Sequence, residues 1–351
     1  MHGSFKTEEM RKGKAVVVCV IASTLTSTIP NISLAGEMAA ATLFTPALDV
    51  EYVQYGKPQS IDSIPTTPSG IPTPAVITRA ALQLSNAPFI VVNSGSYVEP
   101  KLPALTLPSR RVGGRIDKEE ALPRGTSKRL FSEAKTAGKT FSSLSDVVLI
   151  GESMPGGTTT ALSILKGLGM GDYSSVSSSS NVNPIDIKKS VVEAALKRAE
   201  GMDDPFEIND VLGDPLHISI AGIAIGALSG GSHVILAGGT QMLAALALMR
   251  ASGEEFDEEK VSIATTKWVF DDKGEKMGKL VGSLAPGASL VYADLSFSDS
   301  PFEGLKAYDE GFVKEGVGAG GTSVLALLKG RSVEDLKRSI YIEYERLMKM
   351  R

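Results

Sequence analysis

The sequence predicts an α/β fold built on a mostly parallel β-sheet, and three observations carry that prediction. Short β-branched and apolar runs recur at Ala15–Ala22, Phe89–Asn93, Val147–Ile150, Val234–Ala237 and Leu290–Ala293 without polar alternation, as strands buried on both faces require. Helical periodicity fills the segments between them, as from Thr126 through Leu130, Ala134 and Ala137. Polar and glycine-rich residues gather where the strands end, the position at which open α/β sheets bind ligands.

Composition bounds what such a sheet can serve. The chain has 351 residues, enough for one large domain plus a smaller one or for two of ordinary size. A net charge of -4 and a pI of about 5.6 give no basic footprint, so no nucleic-acid partner is expected. One cysteine, Cys19, lies inside the first apolar run, which forbids an intrachain disulfide and fits a small buried hydrophobe in a cytoplasmic protein. No metal site and no cofactor are expected.

From the start of the chain, Lys12 and Lys14 before Ala15–Ala22 imitate a signal peptide, but Glu8 and Glu9 and the lack of a small-residue cleavage pattern argue for a first core strand. Ser23 to Thr28 leads off that strand as a hydroxyl-rich turn, with ligand contact as the alternative. Phe44 to Tyr55 reads as extended, Pro58 to Pro74 as loop, and Thr78 to Leu84 as a short helix. Arg110, Arg111 and Arg115 form a solvated basic loop or, alternatively, an anion contact. Ser174 to Asn181 reads as flexible, and Lys188 and Lys189 open the next helix as surface charge. Asp203-Asp204-Pro205 reads as a helix-ending turn, and Asp214-Pro215 starts an Ala/Gly-rich helix to Ser229 whose small residues permit close packing.

Ala221 to Met249 is apolar enough to suggest a membrane helix, yet Gly230-Gly231-Ser232-His233 and Gly238-Gly239-Thr240-Gln241 divide it into helix, strand and helix, so no membrane partner is expected. His217 and His233 have no metal-ligand partner at useful spacing and read as structural. Thr266 to Phe270 reads as a strand, and Asp271-Asp272-Lys273-Gly274 as a turn. The tail from Ser332 carries a capping-box pattern with Asp335 and an amphipathic run, a packing helix suited to an oligomer interface.

Two stretches carry chemistry. Asp146 to Leu165 reads as strand, loop and helix: Val147 to Ile150, then Gly151, Glu152 and a Pro155-Gly156-Gly157 turn, then Thr158 to Thr160 at the helix start. Free N–H groups, the helix dipole and hydroxyls there suit a phosphate, although a tight turn with an ordinary N-cap has the same composition. Gly238-Gly239-Thr240 repeats the unit, and the two could line opposite sides of one crevice. Near the C-terminus, Glu315 stands among glycines before an apolar helix, Val324 to Leu328. A carboxylate so placed can approach a ligand, and desolvation would raise its pKa toward that of a general base; a solvent-facing loop glutamate is the alternative.

Gly151-Glu152-Ser153-Met154-Pro155-Gly156-Gly157-Thr158-Thr159 resembles the Gly-Glu-Met-Gly-Ile-Gly-Asn-Thr-Thr loop of the nicotinate-nucleotide:dimethylbenzimidazole phosphoribosyltransferases. Glu315-Gly316-Val317-Gly318-Ala319 resembles that family's Gly-Glu-Gly-Thr-Gly-Ala segment, and Asp214-Pro215 resembles its Asp-Pro stretch, so the likeness spans about residues 120 to 330. Thr24 to Gly36 and Tyr52 to Gly56 look like archaeal relatives of the same family. The resemblance implies a doubly wound, Rossmann-like α/β enzyme with a smaller helical domain, working as a homodimer. Residues 15–330 would form the large nucleotide-binding and catalytic domain, and segments 1–14 and 331–351 would contribute to the smaller helical domain or a dimer contact.

The implied reaction moves 5-phosphoribose from nicotinate mononucleotide to a benzimidazole-type base, giving the α-ribazole phosphate of the cobamide lower ligand. By the same resemblance, Glu315 would take the proton of the incoming base and Glu152 would sit beside the ribose. Gly156, Gly157, Thr158 and Thr159 would hold the 5′-phosphate, Lys188 would add charge to that site, and Gly151, Gly316 and Gly318 would be further substrate-binding residues. Three departures stand out: Gly157 replaces an Asn, Pro155 stiffens a glycine-rich turn, and Lys314 replaces the Gly before the glutamate, where an approaching ammonium would lower the pKa of Glu315. Two other functions fit the composition. One is a Mg²⁺-dependent enzyme using phosphoribosyl pyrophosphate, with Asp271 and Asp272 as metal contacts; the other is a nucleotide sensor without catalysis.

Overall fold

A computed structural model describes residues 7–33, 39–61, 66–67 and 70–350. Parts of the 1–14 segment, of the Thr24–Gly36 stretch and of the Pro58–Pro74 loop lie outside the described residues, as does residue 351. Seven strands form one parallel sheet: β1 (Ala15–Ala22), β2 (Phe89–Gly95), β3 (Ala104–Thr106), β4 (Val147–Ser153), β5 (His233–Ala237), β6 (Val261–Thr266) and β7 (Ser289–Ala293). Their spatial order is β3-β2-β1-β4-β5-β6-β7, and every neighbouring pair is parallel. The chain therefore winds outward twice from the β1/β4 pair, the doubly wound arrangement the sequence predicts.

Thirteen helices complete the described fold. They are α1 (Thr7–Lys12), α2 (Thr45–Tyr55), α3 (Ala75–Ser85), α4 (Thr126–Ser142), α5 (Gly157–Gly167), α6 (Ile185–Leu196), α7 (Pro205–Leu212), α8 (Pro215–Ser229), α9 (Gln241–Ala251), α10 (Lys267–Leu284), α11 (Glu303–Asp309), α12 (Ala319–Leu328) and α13 (Val333–Met348). Strand β1 shows why its run is apolar throughout. Val16, Val18 and Val20 pack on one face with Leu130, Phe131 and Ile220, whereas Cys19 and Ile21 pack on the other with Ala80 and Ala81. Helices on both faces leave no solvated side for alternation. No described helix is long and apolar enough to cross a membrane.

Four readings change. Residues 45–55 are helical, not extended: Pro46 opens the helix and Gly56 at φ 78° closes it. Seven of its residues, Asp49 and Glu51 included, are buried, so no polar stripe marks the 3.6-residue period. The last strand residue before the Asp271-Asp272 pair is Thr266, which caps α10 through a bond from the Val269 N–H, so the pair is helical and not a turn. Asp203-Asp204-Pro205 starts a helix instead of ending one, because the Asp204 side chain accepts from the Phe206 N–H. The Ser174–Asn181 segment is not a solvated linker, since Ser175, Val176, Ser177 and Ser178 are buried.

The Ala/Gly character of α8 has a steric cause. A Cβ added at Gly226 would stand 2.0 Å from the Lys135 carbonyl oxygen of α4, and one at Gly138 of α4 would stand 2.1 Å from that of Ile223 on α8. Two helix backbones in such contact tolerate no side chain at either crossing point. We expect Gly226→Ala or Gly138→Ala to destabilise the fold by about 1–3 kcal/mol. Gly282→Ala, on the exposed side of α10 with open space around it, should stabilise by up to about 1 kcal/mol. Urea midpoints at constant slope check both, and equal effects at the three sites would contradict the packing account.

Candidate active site

The carboxyl ends of β4 and β5 and the loop before α12 open on one cavity of about 620 Å³. Strand β4 delivers Glu152 and Ser153, and a Met154–Gly156 turn follows, with Gly156 in the left-handed region at φ 80°. A Cβ there would also meet Ser27 at 2.9 Å, so glycine is required twice over. Gly156, Gly157 and Thr158 line the cavity at the N-terminus of α5. Gly239, Thr240 and Gln241, from the second strand, Gly-Gly-Thr, helix unit, line it as well. Both units thus face one cavity.

Not every residue named from the sequence reaches it. Thr159 is fully buried outside the lining, and its hydroxyl has no hydrogen-bond partner among the described residues. Gly151 and Gly318 also lie outside the lining; they pack against each other, a Cβ on Gly151 falling 3.1 Å from the Gly318 Cα. That contact brings the 315–320 loop onto the end of β4, where the Val317 N–H donates to the Glu152 carbonyl at 2.8 Å. Val317 itself sits at φ 55°, costly for a β-branched residue, and its carbonyl is held by the Thr78 hydroxyl at 3.0 Å. Gly316, at φ 156°, lines the cavity beside Glu315.

Glu315 is half-buried and held on several sides. Its carboxylate accepts from the backbone N–H groups of Thr266 at 3.0 Å, Gly316 at 3.1 Å and Gly320 at 3.2 Å. Desolvation still outweighs these bonds and pushes its pKa up to about 7. Glu152 is buried and goes further, to about 8, through desolvation first and then the negative charge of Glu315. Both carboxylates are thus held above the ordinary range and titrate as a coupled pair near neutral pH. Lys314, whose ammonium would lower the pKa of Glu315 if it approached, is engaged elsewhere. Its ammonium turns to Asp272 Oδ2 at 3.1 Å and the Ser180 carbonyl at 3.4 Å.

The Ser-rich loop forms the opposite wall through Ser177, Ser178 and Ser179. Beneath it Lys188 is fully buried, not a surface charge, and donates to the Ser177 carbonyl at 2.7 Å. Burial, then Lys314 and Lys273, push its pKa down to about 7. Asp272 accepts from Ser177 and Lys314 and lies 3.3 Å from the Lys273 ammonium, so against the cost of its burial it is held below the ordinary carboxylate range. Asp271 is exposed on α10. His217 pairs with Asp214 at 2.5 Å and His233 with Glu9 at 2.9 Å, both as structural contacts.

The third wall was not legible. Helix α2 and the turn before it contribute Phe44, Leu48 and Asp49, and Asp49 accepts from Ser153 and from Thr73, each at 2.8 Å. Burial raises its pKa to about 6. A segment read as extended carries no sign that one carboxylate faces a site.

A family described as phosphoribosyltransferase matches residues 75–256. A UPF0284 protein of Aeropyrum pernix is 47% identical over 338 residues, 96% of this chain and 94% of that protein. One from Archaeoglobus fulgidus is 42% identical over 348 residues, 99% of this chain and 98% of that protein. Among solved structures, CobT from Thermus thermophilus is similar with a TM-score of 0.63 at 14% identity, covering 93% of this chain and 84% of that one. A structure described as nicotinate-nucleotide-dimethylbenzimidazole phosphoribosyltransferase, from the same organism, has a TM-score of 0.63 at 15% identity, covering 93% of this chain and 83% of that one. At such identities the structures share the fold.

The raised carboxylates set the pH dependence of stability. Glu152, Glu315 and Asp49 titrate above their ordinary values of 4.5, 4.5 and 3.8, so at these three groups the folded chain binds more protons than the unfolded one up to about pH 8. Their contribution to stability is complete below those ordinary values and is lost as pH rises toward 8. Lys188, lowered from 10.5, makes stability rise with pH only above about 7. Glu152→Gln should flatten the decline between pH 6 and 8 and raise stability at pH 8 by about 1–3 kcal/mol. Denaturant midpoints across pH check this, and parallel profiles for variant and parent would refute it.

Proposed function

The chain belongs to the phosphoribosyltransferase family, and from that premise we propose that it transfers 5-phosphoribose from nicotinate mononucleotide to a benzimidazole-type base. The observation that carries this reading is Glu315, a half-buried carboxylate raised to about 7 and opening on a cavity with a Gly-Gly-Thr helix terminus on its wall. The charge distribution supports the donor. A 5′-phosphate suits Gly156, Gly157 and Thr158, with Lys188 and Lys314 charging the neighbouring serine wall. A pyridinium suits the carboxylate end.

The chemistry follows. One nitrogen of the neutral base attacks C1′ from the face opposite nicotinate, and the bond from C1′ to the pyridinium nitrogen breaks. Its electron pair returns to the ring, so the leaving nitrogen departs neutral. As the new C–N bond forms, the base's other nitrogen becomes acidic and gives its proton to Glu315, which is ionised near neutral pH for that purpose. The anomeric centre inverts, giving an α-ribotide. Glu152, protonated in the free protein, ionises beside the positive charge of the donor. Phe44, Leu48 and Ile71 supply an apolar surface for a planar base, and the cavity holds both ligands at once so that orientation contributes to rate.

Glu315→Gln should lower turnover by about two to four orders of magnitude while nucleotide affinity stays within a few-fold, because the amide preserves shape but takes no proton. The assay follows nicotinate release and ribotide mass with a panel of benzimidazoles and purines, with and without Mg²⁺. Near-full turnover by the variant would remove Glu315 from the mechanism. A Mg²⁺-dependent reaction with phosphoribosyl pyrophosphate in place of the mononucleotide would replace the proposed donor.

A further inference from the structure

Lys314 stands next to Glu315 in the chain, and its side chain is only 8% exposed. The peptide between them is pinned. The Thr266 hydroxyl donates to the Lys314 carbonyl at 2.6 Å, while the Thr266 N–H holds the Glu315 carboxylate at 3.0 Å. On the other side the Val313 N–H donates to the Ser179 carbonyl at 2.8 Å, with Val313 in the left-handed region at φ 57°. From this fixed backbone the two side chains part. Glu315 turns to the N–H groups of Thr266, Gly316 and Gly320, whereas the Lys314 ammonium reaches Asp272 Oδ2 on α10 at 3.1 Å. That oxygen also accepts from the Ser177 hydroxyl at 2.8 Å, and the Lys273 ammonium lies 3.3 Å from Asp272 Oδ1.

An ammonium so buried needs a partner. Besides Asp272 it has the Ser180 carbonyl at 3.4 Å, a long contact. The other charged groups near it, Lys188 of α6 and Lys273 of α10, carry its own sign. Around Glu315 the titratable neighbours on packed elements are Glu152 of β4 and Tyr308 of α11, and neither is a cation. Without Asp272, repulsion from the lysines and attraction to the carboxylate both direct Lys314 to Glu315. We infer that Asp272 is a positioning residue that holds the Lys314 ammonium off the Glu315 carboxylate. A glutamate paired with an ammonium is a weaker base, so a second carboxylate that takes the cation leaves Glu315 able to accept a proton. The inference rests on the proposed role of Glu315 as general base and deepens it.

The test titrates Glu315 directly in the full chain, by the NMR signal of carboxyl-labelled glutamate that Glu315→Gln abolishes. A Glu152→Gln background keeps the neighbouring carboxyl from titrating with it. Asp272→Asn should move the Glu315 midpoint down by about one pH unit, the effect of an opposite charge brought close. Adding Lys314→Gln to that variant should return the midpoint to within about 0.3 unit of the parent, because the cation is then gone. In the chain with Glu152 intact, the acid limb of kcat for ribotide formation should shift in the same direction and return in the same way. A shift under about half a unit is what loss of a distant charge gives without movement of Lys314, and it would overturn the inference. An upward shift, or one that persists in the double variant, would make Asp272 merely a support for the serine loop and overturn it too. The Asp272 side chain is 30% exposed, so its neutralisation strands no buried group of its own; Asp272→Ser, read in the same way, serves should Asp272→Asn fail to fold. If the signal shifts as expected but no base yields a ribotide, the proposed reaction fails and the charge arrangement stands. If ribotide forms but the signal does not shift, the inference alone falls.

Discussion

The junction between the end of β4 and the loop ahead of α12 holds this site together. Glu152 and Glu315 come from distant parts of the chain, and they meet because Gly151 and Gly318 allow two backbones to touch. The Val317 N–H closes the contact on the Glu152 carbonyl. Val317 adopts a backbone conformation that a β-branched residue avoids, and Thr78 and Glu152 each hold one of its peptide groups there. Local strain is accepted so that one carboxylate points into the cavity beside another.

Once the two carboxylates share a cavity, electrostatics couples them. Burial raises both, and the charge of Glu315 adds to the rise at Glu152. Backbone N–H groups from β6, from its own loop and from α12 keep Glu315 from rising as far. Near the serine loop, Asp272 gathers Lys314 and Lys273 and the Ser177 carbonyl takes Lys188.

The wall built by α2 is held from outside the cavity. Tyr52 donates to Glu343 of α13 at 2.8 Å, Arg79 of α3 lies 3.0 Å from the same carboxylate, and Arg346 donates to the Gly56 carbonyl at 2.6 Å. Glu343 is buried, and Arg346 Nε also donates to it at 3.0 Å, so three side chains converge on one carboxylate. The C-terminal helix, whose capping box forms as its sequence predicts, thus fixes the helix that carries Phe44, Leu48 and Asp49 at its cavity end.

The amino-acid sequence by itself determined the alternation of strands and helices, the Gly-Gly-Thr turns at two strand ends and the candidacy of Glu152 and Glu315. These features are local: β-branched runs, caps and glycines act over a few residues and leave their pattern in the chain. It did not disclose α2, whose face to solvent is too small to give a polar stripe, nor the helical state of Asp271 and Asp272, which a Thr266 cap decides. Lys188 looked like surface charge because a lysine's burial depends on what covers it, here a serine loop that composition alone reads as flexible. Only the tertiary structure decided that Lys314 serves Asp272 and not Glu315, and that Gln241 packs on Gly157. Those pairings depend on which side chains the sheet order brings to one end, and charge and hydrogen bonding act across space without regard to separation along the chain.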